Sequence, residues 1–188
     1  IDTALFDNTS FSASGQVVTL NGSYEVGSMY WRNISVYATP PRLSGSNLTE
    51  MRLFGSLEFH QNMTNNYLGS FRFKGVPTVA HPVNHITMNQ KSFQRFVYID
   101  ADADAMEWQL TDSVSFALYA PTIPLLSIYR GRLVTNGNPI YIAGGGLDLD
   151  FSTNRYFNFA NSRIYCGYGN FRVLNPATAT IVSTNSTI

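Results

Sequence analysis

The sequence has little cysteine and little charge, and it lacks an apolar run long enough to cross a membrane. Cys166 is the only cysteine among the 188 residues, so no disulfide can form within the chain and the core must stabilise the fold. Charged residues make up 13%, roughly half the usual share. The most apolar stretch, 113–129, is broken by Pro121 and Pro124. We therefore expect neither a disulfide-stapled module nor a membrane span.

Basic charge is also missing in the form that nucleic acid requires. Twelve Lys and Arg residues cancel twelve Asp and Glu residues, and no run of basic side chains occurs. We therefore expect no nucleic acid to bind through this segment. A surface with few charges must be covered by Ser, Thr, Asn and Tyr instead, which suits a protein that is extracellular or packed into an assembly.

Alternating apolar and polar residues are the main positive signal in the sequence. In 113–119 the side chains of Val114, Phe116 and Leu118 are predicted to share one face of a strand, and 147–151 alternates in the same way. Turn residues recur about every eight to twelve positions. The predicted strands are 16–20, 29–38, 51–59, 67–74, 93–101, 106–110, 113–119, 125–130, 139–142, 147–151, 155–159, 163–166, 171–174 and 177–183.

So many short strands exceed what one small sheet holds, which favours two packed sheets. The sequence predicts an all-β fold with little helix, an antiparallel β-sandwich of jelly-roll type. No long polar linker divides the chain, so 1–188 is interpreted as a single domain.

Two segments, 11–20 and 140–149, share the form of a short strand, a glycine turn and an alternating strand. This form resembles the triple β-spiral repeat of adenovirus and reovirus fibre shafts. The resemblance implies that 1–22 form a hairpin leading from a shaft into a head. In general style the chain is similar to viral β-sandwich structural proteins, which implies a homo-oligomer, either a trimer or a capsid shell, at the virion surface.

Asp100, Asp102 and Asp104 form the sharpest local motif. If the strand 93–101 continues, these carboxylates point to one face at intervals of about 6.5–7 Å. Such a row needs water, basic neighbours, protonation or a cation to offset the repulsion. A solvated acidic loop, an acidic cluster on an oligomer axis and a Ca²⁺ site are all open interpretations, and Ca²⁺ is the only cofactor that the sequence suggests.

Aromatic and asparagine residues supply the remaining candidate sites. Trp31, Tyr67, Trp108 and Tyr168 are candidate binding residues, because aromatic rings near polar turns can stack on sugars or anchor an interface. Tyr30, Tyr129 and Tyr165 lie in similar positions. The Asn-x-Ser/Thr glycosylation sequons, which favour a secreted or surface context, begin at Asn8, Asn21, Asn33, Asn47, Asn62 and Asn185.

Three functional classes follow. The leading hypothesis is a non-enzymatic viral structural protein, the receptor-binding head of a homotrimeric fibre or spike, which would bind a host receptor protein or glycan. The alternatives are an icosahedral jelly-roll capsid subunit and a carbohydrate-binding module or lectin. An enzyme is not expected, because no Gly-x-Ser-x-Gly elbow, phosphate-binding loop or paired glycosidase carboxylates stand out in the sequence.

Overall fold

The computed structural model of the chain describes residues 1–75, 83–117, 123–149, 153–167, 169–173 and 175–188. These residues form β-strands and one short 3₁₀ helix, Pro176–Thr178. The strands are β1 (Ala4–Phe6), β2 (Val17–Leu20), β3 (Tyr24–Val26), β4 (Met29–Trp31), β5 (Arg42–Gly45), β6 (Glu50–Leu53), β7 (Leu57–Glu58), β8 (Thr64–Tyr67), β9 (Ser70–Phe73), β10 (Val83–Thr87), β11 (Ser92–Phe93), β12 (Val97–Asp100), β13 (Glu107–Leu110), β14 (Val114–Phe116), β15 (Pro124–Val134), β16 (Ile140–Ile142), β17 (Gly146–Asp148), β18 (Arg155–Asn158), β19 (Ile164–Cys166), β20 (Phe171–Arg172) and β21 (Ala179–Val182).

The strands wind into a β-solenoid with three faces. The first face contains β1, β4, β7, β10, β13, the end of β15, β18 and β21. The second face contains β2, β5 and β8, followed by β11, β14, β16 and β19. The third face contains β3, β6, β9, β12, the start of β15, β17 and β20. Each coil therefore supplies one strand to each face and stacks on the previous coil.

The core is a set of ladders running along the solenoid axis. On the third face, one ladder of buried side chains passes from one coil to the next through Met51, Phe71, Val97, Leu126 and Leu147. Because successive side chains of a strand point to opposite sides, the residues between these point outward. Burial of the inward ladders supplies the main driving force for folding.

The antiparallel sandwich predicted from the sequence is wrong, although the all-β class with very little helix is confirmed. Pairing along the solenoid is parallel, as between β10 and β13 or between β16 and β19. Alternation reports that one side of a strand is buried, but the same alternation serves an antiparallel sandwich and a parallel coil. The jelly-roll prediction is wrong for the same reason.

The two segments that resemble fibre-shaft repeats do not form hairpins. In 140–149, β16 lies on the second face and β17 on the third, and each pairs with strands of neighbouring coils. In 1–22, β1 pairs with β4 and β2 pairs with β5. The glycines between these strands turn a corner between faces instead of closing a hairpin.

Corners of the coil require backbone conformations that few residues tolerate. After the first face the chain turns through Asn136, Asn161 and Asn185, whose φ angles are 53°, 59° and 55°. Asparagine enters this left-handed region at low cost because its short side chain can hydrogen-bond locally. Gly131, with φ 98°, makes the corner inside β15, where the strand passes from the third face to the first. A side chain there would place its Cβ 2.7 Å from the Ala101 Cβ.

Candidate functional site

Charged side chains on the outside of the third face form a continuous chain of ion pairs. Arg52 contacts Glu25 at 3.1 Å and Glu50 at 2.8 Å, which extends the chain across neighbouring strands. Arg72 contacts Glu50 at 2.9 Å and Asp100 at 2.8 Å. The chain continues from Asp100 to Lys74 at 3.5 Å and from Lys74 to Asp102 at 3.0 Å.

Two tyrosines lie within this charged region. The rings of Tyr98 and Tyr129 stack with centroids 5.6 Å apart and planes inclined by 24°. The Arg72 guanidinium carbon lies 4.5 Å from the Tyr98 ring centroid and 5.8 Å from that of Tyr129. Cation–π attraction therefore adds to the ion pairs that hold Arg72 in place.

A β-bulge places Tyr129 in this position. Ile99 pairs with Ile128, but Asp100 pairs with Arg130, so Tyr129 is the extra residue on β15. A bulge lets consecutive side chains face the same way and re-aims them. Tyr129 thus stacks on Tyr98, while the next residue, Arg130, reaches Asp104 at 2.5 Å.

Tyr129 and Arg130 help to line an open groove of about 550 Å³ along the corner between the third and first faces. The groove is lined by Arg72, Lys74, Asp100, Ala101, Asp102, Tyr129, Arg130 and Thr153. The volume falls within the range of small-molecule sites. The groove therefore combines aromatic surface, hydrogen-bond donors and hydrogen-bond acceptors in one concave region.

The electrostatics of the groove follow from partial burial and pairing. Burial opposes the charge of Glu50, but hydrogen bonds from Arg52 and Arg72 together outweigh it and lower the pKa of Glu50. Burial likewise opposes the charge of Arg72, and its carboxylate partners Glu50 and Asp100 reverse that effect and raise the pKa of Arg72. Burial raises the pKa of both tyrosines, Tyr98 and Tyr129.

The structure places the three predicted aspartates next to basic side chains. Strand β12 ends at Asp100, and the chain then turns, so the three carboxylates do not continue along one strand. Arg72 and Lys74 contact Asp100, Lys74 contacts Asp102, and Arg130 and Asn154 contact Asp104. Over the parts of the chain that the structure describes, no group of three or more His, Cys, Asp and Glu side chains could hold a metal ion.

Three of the four predicted binding aromatics lie in the core. Trp31, Tyr67 and Trp108 are fully buried, so they offer no surface to a ligand. Trp31 packs against aromatic neighbours, the Tyr67 hydroxyl lies 3.2 Å from the Thr49 hydroxyl, and Trp108 Nε1 donates to the Gly55 carbonyl oxygen at 3.1 Å. Tyr168 lies outside the described residues.

The sequon asparagines occupy coil corners. Those with exposed side chains are Asn8, Asn21, Asn33, Asn47 and Asn185. Asn33 and Asn185 adopt positive φ angles of 52° and 55°, and Asn33 follows the end of β4 instead of lying within a strand. Asn62 is half-buried, and its Nδ2 donates to the Ile34 carbonyl oxygen at 2.8 Å. Corner geometry therefore provides a structural reason for asparagine at two of these positions, independent of glycosylation.

Tyr98 and Arg72 were not singled out from the sequence. Both residues are outward members of their strands and stand in register, since Tyr98 pairs with Arg72 between β12 and β9. The recurrence of similar segments about one coil apart indicates that their strands are neighbours, but the variable coil length hides which residues pair.

No helix in the described part of the chain is long and apolar enough to cross a membrane. Comparisons with protein-family models, with curated proteins and with solved structures find no match to this chain.

Proposed function

We propose that the chain is a non-enzymatic binding protein whose groove on the third face holds a carbohydrate. The observation that carries this proposal is the half-buried Tyr129, which lines the open groove among paired charges and stacks on Tyr98 beside it. Rigid tyrosine rings offer apolar surface together with a polar hydroxyl, which suits the mixed character of a sugar ring.

The charged groups of the groove complement the hydroxyl groups of a sugar. Asp100 and Asp102 supply acceptors, while Arg72 and Lys74 supply donors. Hydrogen bonds to charged groups are stronger than those between neutral groups. The ion pairs hold these side chains in position before a ligand arrives, so less conformational freedom is lost on binding.

The functional hypotheses drawn from the sequence differ in how well they agree with the solenoid fold. A jelly-roll capsid subunit is excluded by the solenoid fold. Attachment to a host receptor, a homotrimeric state and an extracellular or virion location remain predictions, and the β-sandwich head from which the attachment hypothesis was argued is not present. The lectin alternative is the one that the groove favours, because Tyr129 offers an aromatic ring next to hydrogen-bonding side chains.

Retention on immobilised polysaccharides tests the proposal. Neutral glucan, mannan, xylan and galactan and acidic polygalacturonate form the panel, and we expect the chain to be retained by at least one of them. Tyr129→Ala should weaken that retention by about fivefold or more, since truncating an aromatic anchor that matters for binding costs more than about 1 kcal/mol.

Tyr141→Ala is the matched control. Tyr141 is also a stacked tyrosine, but it lies on the second face, away from the groove. We expect this variant to keep full retention. Failure of the intact chain to bind any member of the panel would overturn the proposal, and so would an equal loss in the two variants whose melting temperatures match.

A further inference from the structure

The groove is lined by side chains from successive coils. Arg52 pairs with Arg72, and Arg72 pairs with Tyr98, so these outward side chains form one column along the solenoid axis. At the corner, Lys74, Asp102, Arg130 and Thr153 follow β9, β12, the first part of β15 and β17, and therefore come from four successive coils. Neighbouring members of such a column are about 4.8 Å apart, the spacing of paired strands.

An extended glycan advances by a similar distance, about 5 Å, with each sugar ring, close to the spacing of paired strands. A glycan lying along the axis would therefore advance by about one coil with each ring and meet Lys74, Asp102, Arg130 and Thr153 in turn. A glycan lying across the third face would meet far less, because β12 presents only Tyr98 and Asp100 outward before the chain turns. Periodicity thus favours an axial orientation.

The charges of the groove favour a neutral glycan over an acidic one. Arg72 and Lys74 share the carboxylate of Asp100, Lys74 also contacts Asp102, and Arg130 contacts Asp104. An acidic polymer would find these cations already neutralised and would be repelled by the same carboxylates. A neutral polymer could accept hydrogen bonds from the cations and donate to the carboxylates without that repulsion.

From these observations we infer that the ligand is a neutral, extended glycan lying along the solenoid axis, with about four sugar rings in contact with four coils. This inference rests on the proposed carbohydrate-binding function and specifies the class and orientation of its ligand.

Calorimetric titration with defined oligosaccharides tests the orientation. The probes are glucose-, mannose- and xylose-based oligomers of one to six rings in β-1,4 linkage. Affinity for at least one series should rise with each added ring, by about tenfold or more in total, and level off near four rings. A chain that is retained by a polysaccharide but shows no such rise with any series would overturn the inference and leave the proposed function standing.

The charge argument is tested separately with oligogalacturonates of the same length. These acidic probes should bind at least tenfold more weakly than the best neutral series, and Asp102→Asn should raise their affinity several-fold by releasing Lys74. Asp2→Asn removes one exposed carboxylate away from the groove and should change nothing. Equal affinity for neutral and acidic oligomers in the intact chain would overturn the assignment of a neutral ligand.

Discussion

Two tyrosine stacks on different faces show how the same motif acquires different surroundings. Tyr141 and Tyr165 on the second face are in direct register, so their rings stack closely, with centroids 4.7 Å apart and an angle of 7°. Tyr98 and Tyr129 on the third face are offset by a bulge, and their rings lie 5.6 Å apart at 24°. Direct register gives the more regular stack, whereas the bulge gives an offset one.

The surroundings separate the two stacks further. Strands β16 and β19 have three residues each, so each presents one outward side chain, and Tyr141 and Tyr165 remain 42% and 43% exposed. Beside the groove, the third-face strands β9 and β12 have four residues each, which gives a second outward position and a charged corner and places ion pairs next to the tyrosines. A stack alone is a structural ladder, and a stack inside a charged groove becomes a candidate binding site.

The largest expected effect comes from altering the corner beside the groove. Gly131→Ala should destabilise the protein by about 3 kcal/mol, because alanine at this positive φ is strained and its Cβ would meet Ala101 at 2.7 Å. Gly137, with φ 82°, lies at the corner that leads to β16, and an added Cβ there would make only an ordinary contact, 3.9 Å from the Asn161 carbonyl oxygen. Gly137→Ala should therefore cost only about 1 kcal/mol. Urea denaturation measures both values, and equal losses would contradict the importance of the Ala101 contact.

Removing the cation at the centre of the groove should have the next largest effect. Arg72→Ala leaves the half-buried carboxylates Glu50 and Asp100 without their shared partner, and we expect a loss of about 2 kcal/mol, reduced from the fully buried case by solvent screening. Arg163→Ala is the counterpart on the second face, where Arg163 is exposed and lies 3.5 Å from the Tyr165 hydroxyl. Its removal should leave the free energy of unfolding close to that of the parent. If Arg72→Ala cost as little stability as Arg163→Ala, the ion-pair chain would add no stability.

The positions of many strands could be predicted from the sequence, but their partners could not. Segments 155–159 and 163–166 were predicted as strands and correspond to β18, Arg155–Asn158, and β19, Ile164–Cys166. Alternation reports burial on one side and is silent about which strand pairs with which. The missed signal was periodic: asparagines 136, 161 and 185 recur about one coil apart at equivalent corners.

The candidate site was less predictable than the fold. Asp100 and Asp102 were chosen for their spacing, but the basic residues that neutralise them, Arg72 and Lys74, stand on the preceding coil. Coil length varies, since Arg72 pairs with Tyr98 and Tyr98 with Ser127, and Tyr129 is offset further by the bulge. Irregular coils and a bulge prevent a fixed repeat from placing these residues together.

Lowering the pH should decrease the free energy of unfolding through protonation of Glu50. The pKa of Glu50 is lowered in the folded protein from an ordinary value of 4.5, because hydrogen bonds from Arg52 and Arg72 outweigh the opposing effect of burial. The stabilisation is therefore complete above about pH 4.5 and is lost as the pH falls through the lower pKa of the folded state. Asp104, whose pKa is lowered by Asn154 and Arg130, acts in the same direction.

Unfolding free energies between pH 6 and pH 3 measure this dependence. At pH 6, Glu50→Gln should lower the free energy of unfolding, but by a smaller amount than Arg72→Ala does. As the pH is lowered, the free energy of unfolding of Glu50→Gln should fall less steeply than that of the parent. A slope that is unchanged in Glu50→Gln would show that Glu50 is not held in its charged form by Arg52 and Arg72.

Apart from the Arg163→Ala control, the smallest effect should come from the stack on the second face. Tyr165→Ala removes one exposed ring that contacts Tyr141, and an aromatic pair of this kind contributes about 0.5–1 kcal/mol. Because Tyr165 lies outside the groove, thermal denaturation should show a small loss while retention on polysaccharide stays unchanged. Tyr129→Ala should show the opposite pattern: retention on polysaccharide should fall strongly, and by more than any loss of folded protein explains. If Tyr165→Ala instead abolished retention, the second face would carry the binding site, and the distinction between the two stacks would be reversed.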